Sequence, residues 1–75
     1  MPDWKRAETR LRKQLAASVR RIRQEKKLTL EDVSHRAQMH WRHWQKVEAG
    51  EVNATLRTLA RLSAALGVEA GRLLE

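Results

Sequence analysis

After Pro2 the chain contains no proline, and its apolar residues recur at the spacing of an α-helix over most of its length. Proline interrupts helices because it lacks an N–H and its ring clashes with the preceding turn. Nothing of that kind interrupts this sequence. Strand signals are missing too: there is no alternating run, β-branched residues are few, and Tyr and Phe are absent. An all-α fold follows. The 75 residues suffice for one small domain. A core of that size is marginal alone and gains from close helix packing or from a second copy.

Capping and turn residues divide the pattern into five helices. The first is expected over about 3–27, with Trp4, Leu11, Leu15, Val19 and Ile22 at helical spacing. Its part from Leu15 onward is the better supported. The first dozen residues read as a helical extension or a frayed arm, so 1–14 is set apart as a basic extension of the domain over 15–75. Thr29 suits an N-cap, with Asp32 three residues on as the acid of a capping box. The second helix, Leu30–Ala37, then buries Val33 and Ala37. A short turn, Gln38-Met39-His40, leads to a third helix over 41–49 with Trp44 and Val47 on its inner face. Gly50 suits the left-handed position that ends a helix. After a loop over 51–54, Thr55 can cap a fourth helix, Leu56–Leu66, with Leu56, Leu59, Leu62 and Leu66 turned inward. Gly67 ends it, and Ala70, Leu73 and Leu74 belong to a last short helix.

Charge is distributed unevenly along this frame. The net charge is +7. Up to Thr29, the bases Lys5, Arg6, Arg10, Arg12, Lys13, Arg20, Arg21, Arg23, Lys26 and Lys27 face only Asp3, Glu8 and Glu25. From Leu30 onward, Arg36, Arg42, Lys46, Arg57, Arg61 and Arg72 are balanced by Glu31, Asp32, Glu48, Glu51, Glu69 and Glu75. A basic domain of this kind favours polyanions. There is no cysteine, which excludes disulfides and thiolate metal sites. The histidines stand apart from acids that could complete a metal site, so no metal and no cofactor is expected. An enzyme is not expected either: no Gly-rich phosphate loop or acid–nucleophile constellation is present. No apolar run approaches the ~20 residues that span a bilayer, and the charged N-terminus lacks an apolar signal core. No membrane partner is expected, and a cytoplasmic location is.

Two short helices joined by a turn of three or four residues form a helix-turn-helix, in which the second helix lies in the major groove of DNA. The stretch LTLEDVSHRAQMHWRHWQKVEAGEVNATLRTLARLSAALGV resembles the lambda-repressor-like (Cro/repressor, or XRE) helix-turn-helix domains. The resemblance rests on Arg20 and Arg23, on Leu28-Thr29, and on the ending Val47-Glu48-Ala49-Gly50. Asn53 and the closing LxxLxxxLGV add to it. It covers about 15–74 and implies a compact five-helix fold.

The resemblance implies roles residue by residue. Arg23 pairs with Glu48, tying the first helix to the end of the recognition helix. His40, Trp41, Arg42 and Lys46 face bases, Arg42 being suited to guanine O6 and N7. Trp41 packs on a thymine methyl or a sugar, or else anchors a protein partner. Thr29, His43, Asn53, Thr55 and Arg57 approach the phosphate backbone; Asn53 is equally suited to holding its own loop. Leu66, Val68, Leu73 and Leu74 form a homodimer surface or close the core. Three positions depart from the family pattern: Leu30 stands where Gln is usual, Gln38 where Gly is usual, and Ser34 where Ala is usual. The expected function is sequence-specific binding of double-stranded DNA, at a palindromic operator, by a homodimeric transcriptional regulator. Two alternatives stand beside it. One is a protein-interaction module anchored by Trp41. The other is a non-specific nucleic-acid binder acting through the basic first helix.

Overall fold

Four α-helices and one 3-10 helix form along the chain in a computed structural model that describes residues 2–75. Helix α1 is Asp3–Glu25, α2 is Leu30–Ala37, α3 is Trp41–Glu48 and α4 is Leu56–Leu66; the 3-10 helix η1 is Ala70–Leu74. Among the described residues there is no strand, and no helix is long and apolar enough to cross a membrane. Met1, the first residue of the expected 1–14 extension, lies outside them.

The outer part of α1 is continuous with the rest. Its dozen residues contain no breaker, and Asp3 in the first turn favours the positive end of the helix dipole. Helix α2 begins with a complete capping box: the Thr29 hydroxyl oxygen accepts from the Asp32 N–H at 3.0 Å, and the Asp32 carboxylate accepts from the Thr29 N–H at 2.9 Å. Those bonds hold the Asp32 carboxyl below the usual aspartate range, the Thr29 backbone N–H first and its side chain second. Helix α4 begins at Thr55, whose hydroxyl accepts from the Thr58 N–H.

All four α-helices end on a residue in the left-handed region or just before one. The residues are Lys27 (φ 56°), Gln38 (φ 53°), Gly50 (φ 75°) and Gly67 (φ 69°). The return bonds to the preceding turn are present at each, as in Met39 N–H to the Ser34 carbonyl at 2.9 Å. Lys27 and Gln38 carry a Cβ there, at a cost of roughly 1 kcal/mol each. Gln38 therefore keeps the turn geometry that Gly would supply, and the turn is not rebuilt.

The core joins all five elements. Leu15, Val19 and Ile22 of α1 meet Val33 and Ala37 of α2, Trp44 and Val47 of α3, Leu62, Ala65 and Leu66 of α4, and Leu73 of η1. Helix α1 lies against α3 and η1, and α2 against α3 and α4. Ser34 is buried, and its hydroxyl donates to the Leu30 carbonyl at 2.6 Å, so the position tolerates a polar side chain. Lys26 Nζ donates to the Leu66 carbonyl at 2.7 Å and caps the negative end of α4.

Six expectations change. Helix α1 ends at Glu25, two residues before the expected Lys27. The last short helix is a 3-10 turn rather than an α-helix. Helix α3 stops at Glu48, with Ala49 as its cap. Leu56 is 85% exposed, because the first position of α4 is rotated off the Leu62–Leu66 face. Trp4 and Leu11, at helical spacing with the core positions of α1, are 62% and 48% exposed, since no element reaches far enough to cover them fully. Leu66 and Leu73 are buried in the chain's own core and have no surface to offer a second copy; of the expected dimer residues, Val68 is half-buried and Leu74 exposed.

Candidate nucleic-acid interface

Helix α3 is short and is held from both ends. At its start, His40 Nδ1 accepts from the Arg42 N–H at 3.1 Å, so the imidazole acts as the N-cap. At its end, the Glu48 carboxylate accepts three hydrogen bonds. Arg23 donates from Nε to Oε2 at 2.6 Å and from its terminal nitrogen to Oε1 at 3.0 Å. The Trp44 indole N–H, one turn earlier in α3, donates to Oε2 at 2.7 Å. The remaining terminal nitrogen of Arg23 reaches the Leu28 carbonyl at 3.1 Å. The Glu48 hydrogen bond raises the Arg23 pKa above its already high value. This knot fixes the rotation of α3 about its own axis relative to α1. It also turns the only acid of α3 inward.

What remains outside on α3 is a face of donors. Arg42, Gln45 and Lys46 line one shallow hollow with Ala49 and Glu51. Gln45 is not singled out by the sequence pattern, but it lies one turn from Arg42 on the same exposed face. Its amide can make the paired bonds that adenine offers in the major groove. Trp41 is 43% exposed and is flanked by both neighbours: His40 stacks at 5.7 Å between centroids, and the Arg42 guanidinium lies 5.3 Å from the ring centre. The indole is thus a fixed plate rather than a loose side chain. His43 is exposed on the same helix.

The backbone candidates divide. Thr29 and Thr55 are exposed, but their hydroxyl oxygens accept the capping N–H groups of α2 and α4. The Thr55 hydroxyl also shares a hydrogen bond with the Thr58 hydroxyl at 3.1 Å. Arg57 shares a second hollow, between α2 and α4, with Arg36, Gln38 and Arg61, three guanidinium groups without a carboxylate in the lining. Arg61 is one turn from Arg57 on α4, whereas Arg36 becomes its partner only when α2 and α4 are packed together. Asn53 stands elsewhere. It lines a groove with Trp4, Leu11 and Leu74, not the hollow of Arg42 and Lys46.

A short helix-and-turn pair braced by α1 and α4, with its second helix presenting donors outward, matches the geometry of a helix that enters the major groove. The family model of the helix-turn-helix domain matches residues 14–75. The chain belongs to the helix-turn-helix domain family. That membership points to DNA binding, and it is consistent with the lambda-repressor-like resemblance. No curated protein and no solved structure matches the chain. The match starts at Gln14, so most of the outer half of α1 lies ahead of the helix-turn-helix domain proper.

Proposed function

We propose that this domain is a sequence-reading transcriptional regulator that binds double-stranded DNA as a homodimer, with α3 in the major groove. The observation that carries the reading is the inward rotation of Glu48. With that carboxylate committed to Arg23 and Trp44, the outer face of α3 offers Arg42, Gln45 and Lys46 to base edges without a competing acid on the same helix. Arg42 and Gln45 are the side chains suited to guanine and adenine; Lys46 meets a base or a phosphate. His40 holds the helix start, and Trp41 covers a sugar or a thymine methyl. Thr29, His43, Thr55 and Arg57 are the backbone contacts, with Arg36 and Arg61 added from the second hollow.

The basic face of α1 supports the same reading. Lys13, Arg20, Arg21 and Gln24 border a groove that also contains Glu48, Ala49 and Gly50 at the end of α3; Glu48 is bound to Arg23 and Arg21 pairs with Glu25, which leaves Lys13 and Arg20 as its uncompensated bases. Phosphates flanking the reading helix therefore meet positive charge, which adds salt-sensitive affinity without sequence preference.

The test is selection from random duplex DNA at about 150 mM salt, where purely electrostatic binding is weakened. Enrichment of a two-fold symmetric site is expected, and Arg42→Ala then relaxes one position per half-site at a cost of ~1–3 kcal/mol. Retention without any enriched sequence, lost as salt rises, replaces this reading by non-specific binding through α1. One observation favours a second reading: the flanked, exposed indole of Trp41 suits a protein-binding anchor as well as DNA. Under that reading Trp41→Ala abolishes partner binding and leaves DNA affinity intact.

A further inference from the structure

The outer half of α1 has two unlike faces. Arg6, Arg10 and Lys13 lie together on one side with Thr9. On another side Trp4, Ala7, Glu8, Leu11, Arg12 and Leu15 form one wall of a groove of about 400 Å³. The other wall is the loop after α3, with Val52 and Ala54, together with Leu59 and Leu74. Among the described residues, three of the five exposed large apolar side chains meet here: Trp4, Leu11 and Leu74, the last 38% exposed.

We propose that this groove is where two copies of the chain pair, through an antiparallel contact between the outer halves of their α1 helices. The proposal deepens the homodimeric reading above and rests on it. Three observations select a second copy as the occupant. First, the apolar wall carries one acid and one base four residues apart, Glu8 and Arg12, and neither forms an ion pair within the described residues. Arg12 Nε is shielded from water and has no hydrogen-bond partner. Second, a two-fold axis brings the same patch of each copy face to face. In an antiparallel pair of helices, residues whose numbers have a constant sum are opposite each other. With Glu8 opposite Arg12 of the second copy, Arg12 is automatically opposite Glu8 of that copy. One spacing thus supplies two reciprocal ion pairs, with the exposed Leu11 beside the axis. Third, Arg6, Arg10 and Lys13 lie on a different side of α1 from the apolar wall, so the most basic strip is kept out of the contact.

The experiment is sedimentation equilibrium of the full chain, with thermal melting of each variant as the folding control. Each variant is also titrated with a duplex carrying a single half-site. The wild type is expected to form a dimer, and Leu11→Glu to give a folded monomer. Glu8→Arg alone and Arg12→Glu alone each raise the dimer dissociation constant at least roughly tenfold, since each places like charges opposite one another twice. The double variant Glu8→Arg with Arg12→Glu restores the wild-type value. Half-site affinity per protomer stays unchanged in the double variant, whose net charge is that of the wild type, which separates the pairing face from DNA reading. A dimer that survives Leu11→Glu overturns this face while leaving a dimeric regulator in place. Failure of the double variant to recover overturns the reciprocal pairing. A chain that is monomeric at every concentration and on a palindromic duplex overturns the proposal together with the homodimeric reading.

Discussion

The outer half of α1 and the α2–turn–α3 unit solve the problem of becoming helical in opposite ways. In the second, nearly every local polar device is used. Thr29 and Asp32 close a capping box, Ser34 bonds back to Leu30, and Gln38 takes the left-handed turn. His40 caps α3, and Glu48 gathers Arg23 and Trp44. Its charges are balanced: Arg36, Arg42 and Lys46 against Glu31, Asp32 and Glu48. The outer half of α1 has no side-chain cap at its start, carries an excess of bases, and leaves Trp4 and Leu11 largely uncovered. One region is specified by hydrogen bonds residue by residue, the other by periodicity alone. A helix can therefore be written into a sequence without writing in what covers it.

The sharpest way to break that contrast lies within α1 itself. Leu15 is buried and Leu11 is not. Leu15→Ala is expected to cost about 3 kcal/mol, a fall in Tm on the order of 15 °C, whereas Leu11→Ala at monomeric concentration costs under about 1 kcal/mol. Equal losses in thermal melting erase the distinction between the two halves. Glu48→Ala comes next, at about 2 kcal/mol in urea unfolding. It leaves the Arg23 guanidinium and the Trp44 indole N–H without their acceptor in a largely dry site. Glu48→Gln recovers part of the loss by keeping an acceptor.

A smaller effect of opposite sign belongs to the turn. Gln38→Gly is expected to stabilise by roughly 1 kcal/mol, because the left-handed geometry then carries no Cβ. Destabilisation at this position indicates that the Gln38 side chain contributes more than its backbone strain costs. The smallest effect is in acid. The folded-state pKa of Asp32 is depressed, so its contribution is fully present above the ordinary aspartate value of ~3.9 and is lost as pH falls through the lower folded value. Asp32→Ala removes the titrating carboxyl and should flatten that part of the pH–stability curve, which chemical denaturation between about pH 2 and 5 would reveal.

The same contrast governs what could be read in advance. Residues that act through their own backbone were legible: Thr29, Thr55, Gly50 and Gly67 punctuate the chain where α2, α4, α3 and α4 begin or end. Contacts that depend on how helices rotate against one another were not. Leu56 fits the spacing of Leu59 and Leu62, yet a first-turn residue lies outside the arc that the core covers. Trp44 reads as packing, and only the folded geometry reveals its indole N–H as the third donor to Glu48. Gln45 and Arg61 follow Arg42 and Arg57 by one helical turn and were open to the periodicity; Arg36 becomes a neighbour of Arg57 only through assembly. Lys27 in the left-handed region has no glycine to announce it.

Two side-chain links from the end of α1 and its cap reach other helix ends: Arg23 to the end of α3, and Lys26 to the end of α4. Between them and Leu15 the helix is held by the core; from Leu15 to Trp4 it projects about 16 Å at 1.5 Å per residue. A load at the tip of that projection acts first on the Leu15 end of the core, while Arg23 and the buried Trp44 and Val47 hold α3 further along the same helix.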